Sequence, residues 1–379
     1  MTDAVQQADR QRIADARRWV VKVGSALLTN DGRGLDASVV KMLAVQLAAL
    51  RSRGCEVVLV SSGAIVAGLA RLNLTERPHE VHLSQAAAAV GQSALVRAYE
   101  EHLSPHGVTT AQILLSHADV RARDRYLNAR STLSTLLAMN VLPIVNENDT
   151  VVTDEIRLGD NDTLAALVAN LVDADALLIL TDQDGLMDAD PRQSADAALI
   201  HTADVHDSTL DAIAGAGSAL GRGGMATKLS AARLAARSGT ATVIANGRQP
   251  GAIAQVAGGA SLGTFLQTQR QPQSARKQWL ASLLHAQGSL VMDDGAVKGV
   301  SDQGRSLLPI GVVSVAGDFQ RGDLVSCLDS AGRECARGLV NYSSEEAKAL
   351  VGKASADIES VLGYRGEEEL IHRDNLVGS

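Results

Sequence analysis

Aromatic side chains are scarce in this chain, with two Phe, two Trp and four Tyr among 379 residues. Broad aromatic platforms on which successive bases could stack are therefore not expected. An excess of positive charge is missing too. The formal net charge is −8, whereas tight binding to a phosphate backbone draws on a basic surface, so nucleic acid is not the expected main ligand. Cysteine occurs three times, at Cys55, Cys327 and Cys335, in neither a CxxC pair nor a zinc spacing. That leaves ordinary packing in a reducing compartment. No stretch approaches about 18 uninterrupted apolar residues, and the N-terminus carries no apolar signal core. Neither membrane insertion nor secretion is indicated, and a cytoplasmic location is expected. Missing motifs narrow the chemistry further. The chain has no HExxH, no GxxxxGK[ST] loop and no GxGxxG turn after a strand, which sets aside metalloprotease, Walker-type and dinucleotide sites.

What is present is an interior built from Ala, Leu, Val and Ile. Hydrophobic residues make up 46% and charged residues 21% of the chain, the balance of a soluble globular protein long enough for about two domains. Residues 1–18 read as a polar leader without assigned chemistry. Trp19–Val23 then reads as a buried strand that delivers Lys22. That lysine is either a surface residue with its stem along the sheet or a cation at the strand end. Ala37–Arg53 has helical spacing and Glu56–Val60 is β-branched, which together make βαβ grammar. The second strand runs into Ser61-Ser62-Gly63, where small residues and a helix start suit an anion, or form only a tight turn. Helices are expected at Val81–Leu103 and His117–Met139, and strands at Thr109–Leu114 and Leu142–Val145.

The stretch Asn146–Asp162, NENDTVVTDEIRLGDND, packs six carboxylates and three asparagines behind that last strand. Crowded carboxylates repel and are costly to desolvate, so they face water, a metal, or a substrate amine with lysines around it. A solvated hairpin is the plain alternative. The β-prone middle, Thr150–Arg157, is a lid candidate, and Asp160 or Asn161 is a natural cap for a helix over Thr163–Leu171. Ala176–Leu180 reads as another strand, ending in Thr181-Asp182. Ligands of open parallel sheets sit outside the carboxyl ends of the strands, so Lys22, Ser62, Asn146–Asp149 and Thr181-Asp182 are expected on one rim. Gly215–Lys228, GAGSALGRGGMATK, is a glycine-rich loop leading into a helix that ends near Ser238. It suits phosphates, or is a surface crossover.

A polar linker follows at 267–280, and the remainder, 281–379, has short glycine-punctuated strands and a helix over Ser344–Leu350. A small β-barrel-like module is expected there. It carries nine Lys and Arg against fifteen Asp and Glu, a balance of −6, so RNA binding by this module is not expected.

The ordered motifs WVVKVGSALLT, VVLVSSGAIVAG, AVGQSAL, RDRYLNARSTL, PIVNENDTV, GDNDTLAALVA, LLILTDQDGL, DADPR, GRGGMATK and IANG closely resemble the glutamate 5-kinase family, from about Trp19 onward. SLLPIGVVSVAGDFQRGD resembles a PUA domain, a pseudobarrel. The resemblance implies an α/β architecture: an αβα sandwich around a mainly parallel sheet, the amino-acid kinase fold, over 19–266, with a smaller C-terminal β-rich PUA domain over 281–379. It implies transfer of the γ-phosphoryl group of ATP to the side-chain carboxylate of L-glutamate, the first step of proline synthesis. By motif it places Lys22 and Lys228 on the transferring phosphate, with Asp162 orienting them. Ser62, Gly63, Asp149 and Asn161 fall on the substrate. Lys22, Thr181, Asp182 and Arg222, Gly223, Gly224, Met225, Ala226, Thr227 and Lys228 fall on ATP. Mg2+ would be carried mainly by ATP phosphates, with no dedicated protein metal site. Feedback inhibition by L-proline, a homo-oligomer and hand-off to glutamyl phosphate reductase are further implications. Ser25 and Ser61 stand where threonine is common in relatives, which keeps a hydroxyl at each place. Aspartate, acetylglutamate, carbamate and uridylate kinases share the fold; NENDT together with GDND favours glutamate, and Lys22-Val23-Gly24-Ser25 differs from the KFGG-type strand end of aspartokinases.

Overall fold

Five consecutive apolar or β-branched residues are what a strand needs when both of its faces are covered. The strands β1 (Arg18–Val23), β2 (Glu56–Ser61), β4 (Leu142–Glu147), β5 (Ala176–Thr181) and β7 (Ala241–Asn246) are almost wholly buried. The computed structural model describes residues 10–29, 34–74, 76, 78–151, 161–189, 194, 196–214, 224–268, 286–301 and 303–378. Among these, with β3 (Thr110–Leu115), β6 (Thr202–Asp204) and β8 (Thr264–Gln267), the strands form one eight-stranded sheet in the order β3-β4-β2-β1-β5-β7-β8-β6. Neighbours are parallel except at β7/β8, so the sheet is mainly parallel as expected.

Helices cover both faces. Trp19, Val21 and Val23 of β1 join Val57 and Leu59 of β2 in one core with the helices α1 (Ala37–Ser52), α3 (Val81–Leu103) and α7 (Ala252–Ala257). The alternate residues Val20, Val58, Val60 and Ile179 are also buried, on the side of α5 (Asn161–Leu171) and α6 (Met225–Ala236). This is the αβα sandwich. The helix α2 (Ala64–Arg71) packs on α3, and α4 spans Arg123–Ala138. Strand alternation thus sends Lys22, between Val21 and Val23, toward the α5 and α6 face.

The chain before β1 is part of this unit from Arg10 onward. Its guanidinium donates to the carbonyls of His201, Leu262 and Gly263 at 2.7–3.0 Å and lies 5.6 Å from the Phe265 ring centroid. Arg12 donates to the carbonyls of Gly239 and Thr268, and Ile13 is buried. The second half of the stretch read as a polar leader therefore folds onto the eight-stranded sheet, because arginine can satisfy carbonyls that end strands and turns. Residues 1–9 lie outside the described residues.

The chain divides into two compact units, the first holding 1–117 and 131–272 and the second holding 118–130 with the chain from 273 onward. In the second, β9 (Gly288–Met292), β10 (Val312–Gly317), β11 (Leu324–Leu328), β12 (Glu334–Leu339) and β13 (Leu376–Gly378) form a five-stranded sheet ordered β10-β9-β11-β12-β13. Only the β9/β11 pair is parallel among the described residues. The helix Ser344–Leu350 covers the expected range and starts on a capping box between Ser343 and Glu346. The linker read at 267–280 falls mostly outside the described residues, although Gln267 closes β8. All three cysteines are free.

Candidate active site

Register alone lines up the rim. Lys22 pairs with Val60 on β2 and Ile179 on β5, Val23 pairs with Ser61, Leu114 with Asn146, and Thr181 with Asn246. All these residues end parallel strands, so their side chains converge on one edge of the sheet. Two helix starts face the same edge. Asp162 sits in the first turn of α5, and Thr227 and Lys228 sit in the first turn of α6.

At the centre, the Asp162 carboxylate is 1% exposed and lies between two lysines that are each 5% exposed. Lys22 Nζ contacts Oδ1, and Lys228 Nζ lies 3.2 Å from Oδ2. Thr227 Oγ1 adds a hydrogen bond to Oδ2 at 2.8 Å. Two ammonium groups against one carboxylate leave these three side chains with one positive charge in excess, an arrangement that suits an anion beside it. The two helix N-termini supply partial positive charge in the same sense.

Next to it, Asn161 Nδ2 donates to Ser62 Oγ and to Asn146 Oδ1, both at 2.9 Å, and lies 3.3 Å from the Ser61 carbonyl. Asn146 Nδ2 in turn donates to Gln92 Oε1 at 2.8 Å. Behind Ser62, Ser61 Oγ meets Tyr99 OH at 3.1 Å, and burial pushes the Tyr99 phenol well above its ordinary pKa. Gly63 has φ +105, and a Cβ there would stand 3.2 Å from Leu35 Cδ2. Only glycine takes this left-handed turn without strain.

The comparisons with known proteins agree with this geometry. A family model described as "Amino acid kinase family" matches residues 17–246, and one described as "PUA domain" matches 288–362. A protein of Chromohalobacter salexigens named "Glutamate 5-kinase" is 58% identical over 372 residues, covering 98% of this chain and 98% of that protein. One of Hahella chejuensis with the same name is 60% identical over 369 residues, 97% of this chain and 96% of that protein. The chain belongs to the glutamate 5-kinase family.

Within that family frame, the structure brings together Lys22, Ser62, Gly63, Asn161, Asp162, Thr227 and Lys228. Asp149 follows β4 on the same rim and is half-buried. Thr181 is buried at the end of β5, and its hydroxyl donates to the exposed Asp182 at 3.1 Å. Gly224 caps α6, with Met225 and Ala226 in its first turn; Arg222 and Gly223 lie outside the described residues, as does most of the lid candidate Thr150–Arg157. Of the two cap candidates for this helix, Asn161 is the first residue of α5 and Asp160 lies outside the described residues. Gln92 and Tyr99 were not anticipated as part of the site. A glutamine on an alanine-rich helix was the available signal for the first.

Burial alone pushes the Asp162 pKa up, but the charges of Lys22 and Lys228, with their hydrogen bonds and that of Thr227, hold it below the ordinary carboxylate value. The folded value being the lower one, this group's contribution to stability is complete above the unfolded pKa of about 3.9 and is lost as pH falls through the folded value. Urea unfolding measured from pH 7 to pH 3 is therefore expected to show an acid loss of stability that is smaller in Asp162→Asn. Equal acid slopes in the two proteins would remove Asp162 from this account.

No helix among the described residues is long and apolar enough to cross a membrane.

Proposed function

We propose that this protein transfers the γ-phosphoryl group of ATP to the side-chain carboxylate of L-glutamate, giving L-glutamyl 5-phosphate and ADP, the first step of proline biosynthesis. The observation that carries the reading is the buried Lys22–Asp162–Lys228 cluster, positive by one charge, beside the Asn161–Ser62 pair. A carboxylate oxygen of the substrate attacks the γ-phosphorus as the bond to the β,γ-bridging oxygen breaks, and ADP leaves with that electron pair. Because the attacking carboxylate is already ionised at neutral pH, no general base is needed. What the step needs is alignment and neutralisation of the charge on the migrating group. Lys22 and Lys228 supply the neutralisation from two sides, and Asp162 holds both in place.

Ser62, Gly63, Asp149 and Asn161 bind glutamate, with Asp149 toward the ammonium group. Thr181-Asp182 and the segment Arg222–Lys228 bind ATP. A Mg2+ ion would be carried by the nucleotide phosphates, since the buried Asp162 is already engaged by two lysines. When bound, the ion would neutralise phosphate charge. Feedback inhibition by L-proline, homo-oligomerisation, a cytoplasmic location and hand-off of the labile acyl phosphate to a reductase belong to the same reading.

The test is hydroxylamine trapping of the acyl phosphate with MgATP and, in turn, L-glutamate, L-aspartate and N-acetyl-L-glutamate. A preference for glutamate of about 100-fold or more in kcat/KM is expected, as for a site built on buried polar contacts. Faster turnover of either competitor would refute the substrate assignment.

A further inference from the structure

Gln92 is a buried polar group that phosphoryl transfer leaves unused. It lies in α3, 7% exposed, within a run of small residues. Its Oε1 accepts from Asn146 Nδ2, whereas its Nε2 is buried and has no hydrogen-bond partner among the described residues. An unpaired buried donor costs stability, so a glutamine here is kept at a loss to the fold.

The direction of each hydrogen bond around it follows from one fixed point. The Ser61 backbone carbonyl can only accept, and Asn161 Nδ2 faces it. With Nδ2 on that side, Asn146 must meet Asn161 through its own carbonyl Oδ1, and so turns its Nδ2 toward position 92. Only an acceptor at that position satisfies the order. At the other end, Ser62 Oγ accepts from Asn161 Nδ2, which leaves the hydroxyl proton to be donated elsewhere. Asn161 Oδ1 accepts no hydrogen bond among the described residues. The site thereby presents one donor and one acceptor of fixed identity, the pair that the carboxylate and ammonium of an α-amino acid require.

We propose that Gln92 is a positioning residue that holds, through Asn146, the amino-acid subsite at Asn161 and Ser62 in place. The proposal rests on the glutamate reading above. Without the Gln92 oxygen, the Asn146 NH2 loses its acceptor and Asn146 is no longer held with its Oδ1 on Asn161. Asn161, kept in the same sense by the Ser61 carbonyl, then loses the side-chain contact that steadies its Oδ1 toward the substrate ammonium.

The readout is discrimination between L-glutamate and glutarate, which has the same two carboxylates without the amine. It is measured as the glutarate Ki divided by the glutamate KM. Gln92→Met removes the acceptor at similar volume and is expected to lower this ratio about tenfold or more, with the KM for ATP within about twofold of wild type. Gln92→Glu keeps an acceptor oxygen whether ionised or protonated and is expected to hold the ratio within about threefold. Gln92→Asn is too short to reach Asn146 and gives the same loss by a gentler change should the methionine variant fail to fold. An unchanged ratio in a folded Met or Asn variant overturns the proposal. So does an equal loss in Gln92→Glu, or a parallel rise in the KM values for glutamate and ATP. A wild-type protein without glutamate-dependent turnover would instead sink the functional reading, and this proposal with it.

Discussion

Asp162→Ala is expected to abolish measurable turnover and to destabilise the protein by about 3–5 kcal/mol, the cost of leaving a buried charge without its partner. The size of the effect comes from the count of charges. Lys22 and Lys228 are as buried as side chains in the core and share this one carboxylate. Removing it takes a shared partner from two ammonium groups, whereas removing one lysine still leaves Asp162 paired with the other. Lys228→Met should accordingly fold with a smaller loss while its kcat falls about 10²- to 10³-fold, as when one charge-stabilising group is removed from a transition state. Urea unfolding and the hydroxamate assay separate the two quantities. Near-normal turnover in Lys228→Met would take that lysine out of the phosphoryl-transfer machinery, and wild-type stability in Asp162→Ala would show that the cluster is not held together by its carboxylate.

The second large effect is steric. Helices α2 and α3 cross so closely that a Cβ on Gly91 would stand 1.8 Å from the Ala64 carbonyl oxygen, and one on Gly68 would stand 1.7 Å from that of Ala87. Backbone atoms cannot rotate out of the way as a side chain can, so Gly91→Ala must push the two helices apart. A loss of about 3 kcal/mol or more is expected, beyond ordinary overpacking, which corresponds to a fall in Tm of roughly 6–12 °C in a domain of this size. Because α2 begins directly after Ser62-Gly63, the KM for glutamate should rise in whatever fraction remains folded. Gly299→Ala is the control. It sits in the helix Asp294–Ser301 with no atom within 4 Å of the added Cβ, and helix propensity predicts a gain of up to about 1 kcal/mol. A Tm for Gly91→Ala matching that control would mean the crossing is looser than drawn.

Particular residues show how far the sequence carried. Lys22 was legible because it interrupts a continuous apolar run, and two-residue alternation then dictates which face it takes. The helices at Val81–Leu103 and Ser344–Leu350 were legible to the residue. The helix Asp294–Ser301 was not, since Gly295 and Gly299 weaken its helical signal and its burial depends on the strands around it. Strand β8 was missed because four residues carry too little periodicity, and its antiparallel direction is set by pairing with β7. In the site, the grouping of Lys22, Ser62, Asp162 and Lys228 followed from strand-end logic and motif. The partnership of Gln92 with Asn146 links positions 54 apart, and no local pattern announces a hydrogen bond across that distance.

Asn161 and Asp162 are consecutive, and this has a bearing on how such an enzyme could be redesigned. One residue belongs to the subsite proposed to hold the amino acid, and its neighbour holds the lysines proposed to meet the phosphoryl group. Any substitution that slides or tilts the start of α5 therefore moves both at once. Acceptor choice and chemical step are geared together along this edge, so a campaign to change the acceptor while sparing catalysis starts from side chains off α5, such as Ser62 and Asp149.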